Sequence, residues 1–313
     1  MISMKQHAIS IAAIFLALAI GVVLGSQTLA SGVLSGLRDD KDDLSHKVDE
    51  LQNANNQLEV QIGAADSFDA TIADRTVKDV LAQRSVIIVT TPDADAGDVD
   101  AVTKLIQAAG AAVTGKVGLT TAFVDNVNGE RLKTSLTNIV PAGIQLKTGA
   151  VDTGSIAGDL LGSVLLLNPT TAQPQSTPEE LALALDTLRS GGFIEYDQVR
   201  PAQLAVVLTG NPTGTDEGNR GSLVARFAGA LDARGAGVVV AGRAGSADRN
   251  GPVAVVRSDA GLSSATSTVD NVDRQSGRIT TVLALQEQLA GGAGRYGTGT
   301  KATAVTVGGA PHS

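Results

Sequence analysis

An uncharged apolar run, Ala8 to Leu24 (AISIAAIFLALAIGVVL), passes without a break into apolar residues spaced seven apart. Beyond these, short β-branched runs alternate with helical patterns. The first stretch has no polar face, and at ~1.5 Å per residue it reaches the lower end of what crosses a bilayer core. Gly25 to Gly36 also lacks charge and lengthens it. The pattern predicts a short N-terminus over residues 1–7 and a membrane anchor over residues 8–29. Lys5 and the α-amino group precede the run, whereas Arg38, Asp39 and Asp40 are the first charges after it. The positive-inside rule therefore puts the N-terminus in the cytoplasm and the bulk of the chain in the extracytoplasmic envelope space, as a single-pass protein of the cell membrane. A cleaved signal peptide is the competing reading, since Thr28-Leu29-Ala30 supplies a small residue for cleavage. The length of the run, merging into a helical pattern, favours the anchor. Gly21 and Gly25 have the small-xxx-small spacing that packs two spans together.

The seven-residue period is the most specific pattern in the chain. Leu37, Leu44, Leu51 and Leu58 occupy d positions, closed by Ala65, and Leu34, Lys41, Val48, Asn55 and Ile62 occupy a. A seam sustained over more than four heptads predicts a supercoil, and leucine at d with β-branched residues at a favours a parallel homodimer. Asn55 at a costs stability but sets register, because its amide pairs with its mate across the seam. A single helix packed on the globular part would instead bury Lys41 and Asn55 without an obvious partner. At ~1.5 Å per residue the seam holds the rest of the chain ~45 Å from the membrane. The helical pattern continues through Phe68, Ile72, Val77 and Val80 to Arg84, which predicts a stalk over residues 30–84.

From Ser85 onward the period changes. Ser85 to Thr90, Ala112 to Leu119, Phe193 to Tyr196, Leu204 to Leu208, Gly237 to Ala241 and Val253 to Val256 read as strands. Helices are expected from Thr91-Pro92-Asp93 to near Gly110, over Glu179 to Ser190, from about Ser222 to Ala233, and over Ile279 to Ala290. The alternation predicts an extracytoplasmic α/β domain with a mainly parallel sheet over residues 85–307, with a short tail at 308–313. Residues 168–178, with three prolines and polar filler, are the candidate internal linker.

Composition narrows the chemistry. The chain has no cysteine, so disulfides and thiolate metal sites are excluded. Its three histidines are His7, His46 and His312, so Ala65 to Val307 contains no imidazole to act as a general base or a ligand. A net charge of -8, with no Trp, five Phe and two Tyr, opposes nucleic-acid binding. Three motif-like strings fail on context. Gly292-Ala-Gly294-Arg-Tyr-Gly297 follows a helix instead of a strand, and Gly110-Ala-Ala-Val-Thr-Gly115-Lys116 has Val117 where a phosphate loop needs Ser or Thr. Asp93-Ala-Asp95-Ala-Gly97-Asp98 reads as a helix N-terminus, not a calcium loop. The loop after the Leu204 strand and its neighbour remain as a polar recognition surface for a partner or ligand: Asn211, Asp216, Asn219, Arg220, Arg243 and Arg249. Two solvated surface loops are the plainer reading. No nucleophile is paired with a base there, so neither an enzyme nor a resident cofactor is expected.

The start MISMKQHAISIAAIFLALAIGVVLGS, the strings RTVKDVL, VIIVTTPDAD, LLGSVLLLNP, DEGNRGSLVARFAGAL and AGRAGSADR, and then STVDNVD, GRITTVLAL and the RYGTG tail together resemble the actinobacterial copper transport protein MctB family. The corynebacterial cell-separation protein SteB is similar and belongs to the same family. The resemblance implies copper homeostasis and an outer-membrane pore in one account. In the other it implies an envelope component acting with SteA on the cell-wall hydrolase of daughter-cell separation. A barrel needs many segments of alternating polarity, which the chain lacks. Copper(I) prefers thiolate, thioether and imidazole ligands, and Met1, Met4 and His7, three apart beside the anchor, are the weak metal candidates. The leading expectation is a non-enzymatic scaffold that dimerises through its stalk and binds a SteA-like protein partner in cell separation. Copper transport is the alternative.

Overall fold

A computed structural model describes residues 4–141, 144–146, 151–211 and 219–310, with the side chains of Lys5, residues 26–40 and Asn126 outside the description. Met1, Asp216 and His312 therefore lie outside the described residues, as do the side chains of Leu34 and Leu37. The chain divides into two units, Met1–Ala65 and Asp66–Ser313.

One helix, α1 (Met4–Val77), supplies the first unit and enters the second. Gln6–Gly25 is long and apolar enough to cross a membrane, with none of it buried in protein. Farther along, Leu44 is 63% exposed, Leu51 70% and Leu58 55% in the single chain, so this row of leucines has no covering layer of its own. Val48, Leu51, Asn55 and Leu58 line one shallow groove on this face.

The second unit starts at Asp66, earlier than the expected boundary at residue 85, because Ala73, Val77 and Leu81 are buried in its core. The helix stops at Val77 instead of reaching Arg84; turns follow, with Asp79 and Gln83 both at positive φ. Then come β1 (Ser85–Thr90), α2 (Ala96–Ala108), β2 (Ala112–Leu119), α3 (Thr121–Val124), α4 (Gly129–Thr137), α5 (Thr153–Leu165), α6 (Pro178–Ser190), β3 (Ile194–Tyr196) and β4 (Leu204–Thr209). The remainder is α7 (Arg220–Asp232), β5 (Val238–Gly242), α8 (Pro252–Ser258), α9 (Ala260–Ala265), β6 (Ser267–Val269), α10 (Gln275–Leu289) and β7 (Arg295–Tyr296). The strands form one sheet in the order β3-β2-β1-β4-β5-β6-β7, parallel except for β3.

Both faces of this sheet are covered, which is why its central strands read as continuous apolar runs. Ile87, Val89, Val207 and Val240 pack against α4–α8, whereas Val86, Ile88, Val206 and Val239 pack against the end of α1, α2 and α10. Each such side chain, fully buried, stabilises the fold by roughly 1.5–3 kcal/mol. On the first face α5 presents Gly154, Gly158 and Gly162 to α7; a Cβ on Gly158 would overlap the carbonyl oxygen of Phe227. The spacing of four keeps these glycines on one side of the helix, so the two backbones approach closely.

Two further expectations change. Val253–Val256 is helical, because Gly251-Pro252 opens a helix with proline in its first turn; a short apolar run does not distinguish strand from helix by period. The strand in that part of the sheet is the short polar Ser267–Val269. Residues 168–178 do not join two domains. They lie inside the second unit, where the Gln175 amide donates to the carbonyls of Leu166 and Arg234.

Candidate functional site

The chain leaves β1 through α2 on one face to reach β2, and leaves β4 through α7 on the other face to reach β5. Strands β1 and β4 are neighbours. Their carboxyl ends therefore form the topological switch point, where open α/β sheets hold ligands. A cavity of about 100 Å³ lies there, framed by Thr91, Pro92 and Asp93 after β1 and Thr209 at the end of β4. Thr121 and Val124 of α3, and Arg220, Gly221 and Val224 of α7, form a second wall, and Asn250-Gly251-Pro252 closes the third side.

Three loops meet there through hydrogen bonds to the Asp93 carboxylate and close approaches at glycine. The Gly210 N–H donates to Asp93 Oδ2 at 3.1 Å, and the Thr91 hydroxyl donates to Asp93 Oδ1 at 2.5 Å. A Cβ at Gly210 would overlap the Asp93 carbonyl, and one at Gly221 the Asn250 carbonyl. Glycine is thus required where the loops after β1, β4 and β5 meet. Arg220 Nη2 stands 3.8 Å from Asp125 Oδ2, beyond hydrogen-bonding distance.

The loop residues singled out in the sequence fall in different places. Arg220 lines the cavity and Asn219 precedes it as the N-cap of α7, without a side-chain capping bond. Asn211 accepts from the Gly245 N–H, which ties together the loops after β4 and β5. Arg249, at φ 49°, adjoins Asn250 on the rim. Arg243 is engaged elsewhere: it donates to Asp98 at 2.7 Å and pairs with Asp95 at 3.1 Å, while Arg278 donates to the other Asp98 oxygen at 2.9 Å. The hydrogen bond to Asp98 raises the Arg243 pKa above its ordinary value. Thr91, Asp93, Thr121 and Asn250 were not singled out as site residues, since only the strand order brings their loops to one point.

A second polar cluster is buried. Arg257 donates to Asp270 at 2.6 Å, to Thr268 at 3.0 Å, and to the carbonyls of Tyr296 and Thr300 at 2.7 and 3.0 Å. Asp270 also accepts from the Thr298 and Gly299 N–H groups. Burial lowers the Arg257 pKa, with the Asp270 carboxylate opposing the shift. The RYGTG string is explained here: Gly297, at φ 124°, leaves no room for a Cβ beside Asp270. This cluster ties the C-terminal segment to the sheet. Among the described residues, no group of three or more His, Cys, Asp or Glu is placed to hold a metal ion.

Fold and cleft together define a class: a doubly wound α/β unit with a crevice at its switch point, on a chain that also carries one span-length apolar helix near its N-terminus. The chain belongs to the MctB family, described as "Copper transport outer membrane protein, MctB", which matches residues 1–307. It is 47% identical to the "Copper transporter MctB" of Mycobacterium tuberculosis (strain ATCC 25618 / H37Rv), over 98% of this chain and 99% of that one. The protein of the same name from Mycobacterium leprae (strain TN) is also 47% identical, over 98% of this chain and 99% of its own. These names agree with the copper account of the resemblance. They lend no support to the cell-separation account that led the reading of the sequence.

Proposed function

We propose that this chain serves copper transport as a bitopic envelope protein. In this reading its N-terminus is cytoplasmic, α1 pairs in parallel with that of a second copy across the Leu34–Ile62 seam, and the α/β unit works outside the cytoplasm. The observation that carries the copper reading is the identity of 47% over 98% of the chain with proteins named for copper transport. The exposed leucine row of α1 supports the pairing, because an apolar face of that length in water calls for a cover.

Physical chemistry shapes how such a chain handles its cargo. A parallel sheet buried by helices on both faces offers no lipid-facing alternation, so the α/β unit does not form the wall of a pore. Soft ligands for copper(I) are scarce, with two Met, three His and no Cys in the whole chain. Met4 and His7 are both exposed at the start of α1, three residues apart and hence on one face. Direct capture of copper(I) is assigned to that pair.

The test is copper content and copper tolerance in a host lacking this protein, complemented with the wild type and with a Met4→Leu, His7→Gln double variant. Loss of the protein is expected to change cell copper and tolerance, and the wild type to restore both. Unchanged copper content on loss overturns the copper reading. Full restoration by the double variant removes Met4 and His7 from it.

A further inference from the structure

The switch-point cleft has a chemistry that the copper reading does not use. Asp93 occupies the turn after β1, where dinucleotide sites place glycines so that phosphate can approach the backbone. A carboxylate there repels phosphate. Among the described residues no aromatic ring lines the cleft, so these offer no face on which to stack a base or a sugar. The described lining residues offer the Asp93 carboxylate, the Arg220 guanidinium and the hydroxyls of Thr91 and Thr209, beside an apolar patch that includes Val124 and Val224.

Asp93 is held in place by three donors. The Gly210 N–H and the hydroxyls of Thr91 and Thr209 all point at it, at 3.1, 2.5 and 3.4 Å. A carboxylate has about four acceptor directions, and it faces a cavity in which an ammonium group finds both charge and acceptor. Arg220, which lines the same cavity, carries the planar donor pair that matches a carboxylate. Its pairing with Asp125 at 3.8 Å is too long for a hydrogen bond, so a ligand carboxylate competes on favourable terms.

We propose that this cleft binds a free α-amino acid with a small apolar side chain. In this arrangement the ammonium group meets Asp93, the carboxylate meets Arg220, and the side chain lies on Val124 and Val224. Size restricts the choice: about 100 Å³ is less than the ~150 Å³ of a cavity that takes benzene, so the smallest amino acids, glycine and alanine, suit the cleft best.

The experiment is isothermal titration of the full-length chain in detergent with glycine, L-alanine and L-valine. N-acetylglycine, glycinamide and inorganic phosphate serve as probes that each lack one half of the zwitterion. Saturable 1:1 binding of a free amino acid is expected, weakened at least tenfold when either charge is blocked. Arg220→Met is expected to lose at least tenfold in affinity with an unchanged melting temperature, since Arg220 is exposed; Asp93→Asn, which keeps an acceptor for the Gly210 N–H, is expected to lose as much. The proposal is overturned by no saturable binding of any free amino acid, by phosphate or N-acetylglycine binding as tightly, or by Arg220→Met binding like the wild type. None of these outcomes depends on copper, so the proposal stands or falls apart from the copper reading.

Discussion

At the scale of single residues, this protein relies on aspartates that close off helices and loops. Asp152 caps α5 by accepting from the Ser155 N–H at 3.0 Å, and it pairs with Arg226 at 2.9 Å. Burial alone would raise its pKa, but the hydrogen bonds from Ser155 and Arg226 and the Arg226 charge outweigh burial and lower it. A lowered folded pKa means that the charge stabilises the fold in full above the usual carboxylate value of about 3.9, and that this contribution is lost as pH falls through the lowered value. Asn caps a helix about as well as Asp, so Asp152→Asn isolates the charge. Its melting temperature should lie below that of the wild type at pH 7 and converge with it in acid; a gap that does not change with pH would refute this account. Arg257 is a different case, fully buried with its partner Asp270. Breaking a buried pair from one side costs about 3–5 kcal/mol, because a charge is left uncompensated. Arg257→Met should lower stability by that amount and speed amide exchange first in residues 295–304, where Arg257 holds the Tyr296 and Thr300 carbonyls.

At the scale of elements, α1 and the α5–α7 pair show opposite ways of satisfying a helix. Helix α5 is buried almost throughout and achieves close approach by removing side chains at Gly154, Gly158 and Gly162. Helix α1 keeps large leucines along one face and leaves them exposed in the single chain. Those leucines recur at a period of seven, the period on which the proposed pairing with a second copy rests. Asn55 and Lys41 are the polar residues of the expected seam, and in the proposed pairing Asn55 sets its register. Under the proposed pairing, Asn55→Val with Lys41→Leu removes the polar seam groups that set register and should alter the oligomeric mass measured by light scattering in detergent; an unchanged mass would remove the register role from both residues.

At the scale of the whole molecule, two units of different character share one helix. Met1–Ala65 has no core of its own among the described residues, while Asp66–Ser313 buries two apolar layers around seven strands. A unit stabilised by association melts at a temperature that depends on concentration, and a unit with its own core does not. Under the proposed pairing of α1, heating the full-length protein should show two transitions by circular dichroism. The one carrying most of the α1 signal should rise with protein concentration, and the sheet transition should stay fixed. A single transition independent of concentration would argue against pairing through α1.

Much of this architecture was legible in the chain itself. The long apolar N-terminal helix and the strands at Ser85, Ala112, Leu204 and Gly237 follow from local period, because a helix without a polar face and a doubly covered strand each impose a pattern on consecutive residues. The short strand Ser267–Val269 and the helix at Pro252 did not follow, since three to seven residues contain too little period to separate the two states. Helix α5 was likewise not singled out, because a helix buried on every side shows no polar face. The site was legible only as a region. Arg220 was singled out, but Arg243 turned out to be held by Asp98, which is 145 residues away in sequence. Thr91, Asp93, Thr121 and Asn250 acquire their meaning only when the order β2-β1-β4-β5 brings the loops after these strands to one crevice. Local period is written in neighbouring residues, whereas a cleft is made by residues whose only connection is the folding of the sheet between them.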